Sequence, residues 1–255
     1  MKMRRYQVVR SKMKKTRILL TDKKLSEFVP VTMTYNYGHL NHMLKRFSLV
    51  FIKPNRGRKG FKVAAVKKEY GSFSVHFNST VFIIQTLDEV NKFFKEFSGD
   101  KKFLIQQGID VLKIDNRPFN VRIWVQKPYK QWEITGITAV LAAPQKLITN
   151  YHQGGTLLSF EKVMKKTAGA DRNKIRELTN QLYLIGEHAS EVLSQHYKGL
   201  RELGIDIAID QSFWPWILEV NTKPMIIIGN PKIRHYHSII KGKYGKRKLI
   251  TPQDV

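Results

Sequence analysis

Cysteine is absent from the 255 residues. That excludes disulfides, thiolate metal sites and a cysteine nucleophile. No apolar run approaches the roughly 18 residues of a membrane-spanning helix, so no span is expected. The opening stretch MKMRRYQVVRSKMKKTRILL never offers the uninterrupted apolar segment of a signal peptide, so a soluble, cytoplasmic protein is expected. The phosphate-binding patterns G-x-x-x-x-G-K-[ST] and G-x-G-x-x-G are missing. No Ser-His or Cys-His arrangement suggests a nucleophile. The close histidine pairs His39/His42 and His235/His237 lack the H-x-x-x-H spacing with a glutamate that signals zinc. Acidic residues are scarce: 20 Asp and Glu face 45 Lys and Arg, a formal net charge of +25.

That charge is unevenly spread. Residues 1–70 hold 19 basic and 3 acidic side chains, and residues 231–255 hold 7 and 1. The middle, 71–230, holds 19 and 16. Excess positive charge speaks about partners rather than fold, and the basic ends suit a polyanion or a nucleic acid. The C-terminal KIRHYHSIIKGKYGKRK interleaves cations with Tyr236 and Tyr244; it reads as a solvated, partly disordered tail, with nucleic-acid binding as the other reading.

Hydrophobic residues make up 42% of the chain, enough for a sizeable core in one large domain or two small ones. Residues 25–35 read as a loop punctuated by Pro30. Leu40, Met43, Leu44 and Phe47 fall at helical spacing. SLVFIKP (48–54) is a short apolar strand stopped by proline, and the basic loop NRGRKG follows. KVAAVKKEYGSFSVHF and TVFIIQ read as strands around a hairpin. Residues 86–99 are a helix capped by Thr86, with Glu89 completing a capping box and Gly99 at its end. FLIQQGI (103–109), FNVRIWVQK (119–127) and WEITGITAVLAA (132–143) are strands. The clearest helix covers 171–198. GIDIAID (204–210) and WILEV (216–220) form a last hairpin, in which Trp214 and Trp216 serve core packing. Short antiparallel strands among helices predict an α+β fold.

Chemistry concentrates at that hairpin. Asp206 lies thirteen residues before Glu219, and Asn221 lies two after it. Strand alternation puts Glu219 and Asn221 on one face. Two carboxylates and a carboxamide are the hard oxygen donors that Mg²⁺ takes alongside phosphate oxygens. A solvated hairpin end would read the same way. Far upstream, Lys53 ends an apolar strand and is followed by a loop with Gly57 and Gly60. Glycine backbone approaches phosphates closely, and a lysine there supplies a point charge.

Taken together and in order, the Lys-Pro strand end, the glycine loop, LIQQGI, LGIDIAID and ILEVNTKP resemble the ATP-grasp superfamily. FNVRIWVQK, ITNYHQGG and ELGIDIAID look most like its YheC/YheD branch of spore-coat-associated proteins, and the resemblance covers roughly residues 10–231. It implies two α+β lobes of mostly antiparallel sheet clamping a nucleotide. The implied division is a basic segment, 1–29, packing on the second lobe; a small lobe, 30–105; a large lobe, 106–231; and a basic tail, 232–255. The resemblance assigns ATP to Lys12 (with Lys14 or Lys15 as alternatives) and Lys53, with a lid from Gly57 to Gly60. The backbone of Gln107 and Ile109 would hold the adenine edge, with Gln106 nearby. Asp206, Glu219 and Asn221 would hold one or two Mg²⁺ ions. In such proteins ATP usually activates a carboxylate as an acyl phosphate for attack by an amine or thiol. Arg122, Asn150 and residues 153–155 match positions that meet the transferred group, and Lys223 lies near the acceptor. The implied partners are ATP and a carboxylate and an amine of anionic or peptidic kind, and a spore-associated location is implied.

Two positions depart from the pattern. Asn120 stands where an aspartate is expected before the arginine, and Val140 where an arginine is expected on the next strand. Arg117 or Lys146 would have to compensate. These departures leave open a nucleotide-binding protein without ligase turnover, acting structurally or in a coat. A basic nucleic-acid-binding protein is the remaining reading, but it leaves the acidic cluster unexplained.

Overall fold

The computed structural model describes residues 6–57, 62–77, 80–99, 101–144, 154–167, 169–226 and 230–245. In chain order the elements are α1 (Lys12–Leu19), α2 (Lys23–Ser26), β1 (Thr32–Thr34), α3 (Tyr37–Arg46), β2 (Leu49–Pro54), β3 (Ala64–Lys68), β4 (Phe73–Phe77), β5 (Thr80–Ile84), α4 (Leu87–Ser98) and β6 (Phe103–Gln107). There follow β7 (Lys113–Ile114), β8 (Arg117–Gln126), β9 (Glu133–Leu141), β10 (Thr156–Ser159), α5 (Phe160–Lys166), α6 (Arg172–His196), β11 (Glu202–Ile209), β12 (Pro215–Asn221) and α7 (Pro231–Tyr244). Among these, no helix is long and apolar enough to cross a membrane.

Two antiparallel sheets carry the fold. One runs β1-β6-β2-β3-β4-β5; the other runs β10-β9-β8-β11-β12, with β7 paired to β8. Each has its own core, because a sheet with one apolar face must bury it against something. On the first, α3 contributes Leu40, Met43 and Leu44, and α4 contributes Val90 and Phe94. Phe97 and Phe103 join them edge-on at 5.8 Å between ring centroids. On the second, α6 turns Leu178, Leu182, Ile185, Ala189 and Leu193 toward Val121, Ile123, Ile205 and Ile207. The α+β class is as expected.

Local rules explain most boundaries. Thr86 and Glu89 form the reciprocal capping box at α4. Asn36 and Asp171 cap α3 and α6, accepting from the backbone amides of His39 and Lys174 at 2.7 and 2.8 Å. Trp214 stacks on Phe28 at 4.8 Å, in keeping with a packing role.

Three segments differ from the sequence reading. Residues 25–35 are not simply loop, since α2 ends and β1 lies within them. α1 was not anticipated. Its buried positions are Lys12, Met13, Lys15 and Leu19, so its inner face is half cationic and shows no apolar period. The third is the basic tail, whose residues 231–244 form a docked helix. Asn230 caps it, Pro231 starts it, and Ile233 and Ile240 are buried two turns apart. Gln126 on β8 donates to the Ile233 carbonyl at 3.1 Å, and Tyr236 donates to Glu133 at 2.9 Å.

Gly108 follows β6, where the chain leaves the first sheet for the second. Its amide donates to the Leu49 carbonyl at 2.8 Å, and a Cβ there would lie 2.7 Å from that oxygen and 2.4 Å from the Leu49 side chain. Backbone cannot retreat as a flexible side chain can. Gly108→Ala is therefore expected to lose about 1–3 kcal/mol of stability, read as a lowered urea midpoint at unchanged m-value.

Candidate functional site

The site grows from three adjacent strands. Register places Asp206 on β11 between Arg122 on β8 and Glu219 on β12. A shift in the β11–β12 pairing follows Asp206. Arg122 Nε donates to Asp206 Oδ1, and Asn221 Nδ2 donates to Asp206 Oδ2 at 3.0 Å. Both carboxylate oxygens are thus held, and the Asn221 amide oxygen is left as an acceptor. Gly204 matters here for its missing side chain: a Cβ would crowd Pro224 Cβ at 2.8 Å and push on the Arg122 guanidinium, 3.0 Å away at Nη1.

Lysines approach from the other elements. Lys12 on α1 pairs with Glu219 Oε1 at 3.3 Å and donates to the Gly57 carbonyl at 3.3 Å. Lys53, at the end of β2, donates to Gln106 Oε1 at 2.7 Å and to the Leu218 carbonyl at 3.0 Å. Gln106 Nε2 in turn donates to Thr32 Oγ1 at 2.9 Å. Lys15, one turn beyond Lys12, donates to the Val9 carbonyl at 3.0 Å. Lys14 points to solvent. A narrow, partly open cleft, with about 10 Å³ of enclosed space, lies among Lys12, Lys15, Lys53, Gln106 and Glu219, with Leu19, Val29, Leu104 and Ile217 as its apolar walls. Few, convergent polar groups on an apolar lining are what a small-ligand site requires.

Burial shapes the charges. It pushes Lys15 and Lys53 down to about 8, against the pull of Glu219 and with the push of Lys12. Burial also raises the carboxyl of Asp206, opposed by Arg122 and assisted by Glu219. Four cations, Lys12, Lys15, Lys53 and Arg122, therefore surround two carboxylates. Among the described residues no group of three or more His, Asp or Glu side chains clusters for a metal. The donors available are Asp206, Glu219 and the Asn221 oxygen. That set fits Mg²⁺, which takes one or two carboxylates and completes its shell with water and phosphate oxygens, better than it fits a metal needing a full protein cage.

The structure thus brings Lys12, Lys53, Gln106 and Glu219 to one cleft and sets Arg122, Asp206 and Asn221 beside it. Gly57 takes part through its carbonyl. Gln107 commits its amide to the Val31 carbonyl at 2.9 Å, and both it and Ile109 lie outside the cleft lining. Lys223 is exposed in the turn after Asn221. Gly60 and Asn150 lie outside the described residues, as does Lys146. Thr16, Leu19, Val29 and Thr32 line the cleft without having been singled out; only their nearness in sequence to Lys12 and Pro30 hinted at them.

Lys15 gives a pH test. Its folded-state value lies below its unfolded one, so the unfolded chain binds more protons between about pH 8 and 10.5. Wild-type stability gains across that window from this residue. Lys15→Met removes the gain, so the variant's stability relative to wild type is expected to fall as pH rises from 8 to 10.5. Urea unfolding at each pH measures this, and a constant difference would contradict the burial of a charged Lys15.

A family model described as YheC/D like ATP-grasp matches residues 4–241. Endospore coat-associated protein YheD of Bacillus subtilis (strain 168) is 26% identical over 249 residues, covering 92% of this chain and 54% of YheD. The chain therefore spans about half the length of that relative. The C-terminal domain of Pby1 from K. lactis, an ATP-grasp enzyme interacting with the mRNA decapping enzyme Dcp2, matches with a TM-score of 0.50 at 12% identity, over 97% of this chain and 78% of that one. D-alanyl-alanine synthetase A from Vibrio cholerae O1 biovar eltor str. N16961 also matches at 0.50, with 11% identity, over 84% and 58%. At such identities the likeness is one of fold, and that fold is ATP-grasp. With the family pattern matched across nearly its whole length, the chain belongs to the YheC/D-like ATP-grasp family.

Proposed function

We propose that the cleft binds Mg·ATP and that the protein is a carboxylate–amine ligase working through an acyl phosphate. One observation carries the nucleotide reading. Lys12, Lys15 and Lys53 are buried, and with Arg122 they outnumber Asp206 and Glu219 by two formal charges. Uncompensated buried cations are costly unless an anion joins them. Mg·ATP, with its net double negative charge, restores the balance. Lys53 suits the α- or β-phosphate, and the apolar walls suit the adenine. Asp206, Glu219 and Asn221 would hold one or two Mg²⁺ ions, whose chemistry is to neutralise charge on the β- and γ-phosphates.

The reaction needs positioning and charge neutralisation rather than a protein nucleophile. A substrate carboxylate oxygen bonds to the γ-phosphorus and ADP leaves. An amine then bonds to the acyl carbon, phosphate leaves, and one proton is released as the amide forms. Arg122 lies beside Asp206; by the resemblance it and Asn150 would meet the transferred group, and Lys223 would lie near the acceptor. The chain's net charge of +25 favours an anionic, peptidic substrate. By analogy with YheD, a spore-associated role fits this reading.

A second reading has its own support. Arg122 is already committed to Asp206, Val140 faces Asn120 and Leu157 across the strands, and Arg117 donates to the Ala142 carbonyl at 2.8 Å. A protein that binds the nucleotide without turning it over would look like this.

Mg·ATP at about 100 times its Kd is expected to stabilise the wild type by about 2.7 kcal/mol, a rise in Tm of several degrees. Glu219→Gln and Asn221→Ala should lose most of the Mg²⁺-dependent part. An equal response in those variants would remove the metal assignment. Phosphate release that requires both a carboxylate and an amine separates the ligase from the non-catalytic reading.

A further inference from the structure

The docking of α7 changes what the basic C-terminal residues can do. Instead of trailing free, the residues of α7 meet the β8–β9 turn and the start of β11. Lys127 donates its amide to the Arg201 carbonyl at 2.8 Å. The Arg201 guanidinium lies 4.1 Å from the Tyr244 ring, and Lys243 lies 4.2 Å from the ring of Tyr129. The cations and rings are therefore one continuous surface drawn from three elements. It is also uncompensated: among the described residues, Lys127, Lys198, Arg201 and Lys243 enter no salt bridge, and the nearby Glu133 pairs with Lys232 at 3.5 Å. Arg201 Nε is buried without an acceptor. The mutual repulsion is felt, since Lys127 is lowered by burial first and then by Arg201 and Lys198. Tyr129, with Lys243 over one face of its ring, is 54% exposed.

We propose that this surface binds single-stranded nucleic acid, with phosphates on Lys127, Arg201 and Lys243 and a base stacked on Tyr129. Cations alone would suit any polyanion. An exposed ring among them selects a polyanion that carries flat bases, because stacking is tolerant of sequence and adds to counterion release. Along β8 the surface begins five residues from Arg122, about 17 Å at strand spacing, so it is separate from the nucleotide cleft.

The test is fluorescence anisotropy of a labelled 20-mer oligouridylate with the full chain, without ATP, from 50 to 250 mM KCl. Binding should weaken steeply with salt. Lys243→Gln should lower the log–log salt slope by about one. Tyr129→Leu should weaken binding at every salt concentration by at least about fivefold, with the slope unchanged. Both variants should keep the wild-type thermal response to Mg·ATP, so a failure here is distinguishable from a failure of the cleft reading. No binding at 50 mM KCl, or wild-type binding by both variants, overturns the proposal. So does displacement of the oligonucleotide by polyglutamate as readily as by unlabelled oligouridylate, which would give the surface to acidic polypeptides.

Discussion

A carboxylate inside a protein stays charged only if cations or hydrogen-bond donors surround it, and Asp206 imposes that demand on the whole large sheet. It sits on β11 between Arg122 on β8 and Glu219 on β12, with both oxygens held by Arg122 and Asn221. Glu219 extends the acidic row to its neighbouring strand and draws in Lys12. Lys12 in turn ties α1 to the Gly57 carbonyl on the small sheet's side. One row of charges, with Arg122 and Lys12 flanking Asp206 and Glu219, therefore runs through the second sheet and reaches the first. The same row leaves α1 with a buried cationic face, which no ordinary packing requirement explains.

Much of the fold could be read because each element obeyed its own period. α6 repeats apolar residues at steps of three and four over 25 residues, and its buried apolar ones join the core of the second sheet. α4 announced both ends through Thr86, Glu89 and Gly99. What escaped did so for physical reasons. α1 buries Lys12 and Lys15 where a core helix would bury leucines, so hydrophobic periodicity is blind to it. β1 is three residues long and is defined by its pairing with Gln106, Ile105 and Leu104, which are distant in sequence. α7 has only two buried apolar residues, and its seat depends on Gln126, Glu133 and Glu202, none of which is local to it.

The site divides in the same way. Asp206, Glu219 and Asn221 were legible because strand alternation and a short hairpin bring them together without help. Lys53 was legible as a strand-end lysine before a glycine loop. Lys12 was reached through the family resemblance, and the structure puts it on Glu219 while Lys14 faces solvent. Gly204 was invisible, because its value lies in an absent Cβ beneath a guanidinium that comes from another strand. Gln107 and Ile109 lie outside the cleft lining, and the walls come instead from Leu19, Val29, Leu104 and Ile217.

The central claim is that a cleft lined by Lys12, Lys15, Lys53 and Glu219, with Arg122 and Asp206 beside it, is completed by Mg·ATP. A crystal structure with Mg²⁺ and a non-hydrolysable ATP analogue tests it most directly. The account predicts phosphates against Lys53 and Lys15, metal on Asp206, Glu219 and Asn221, and Lys12 released from Glu219 to the phosphates. An analogue bound elsewhere, or one bound in the cleft with the Lys12–Glu219 pair intact and no metal on either side chain, would contradict it.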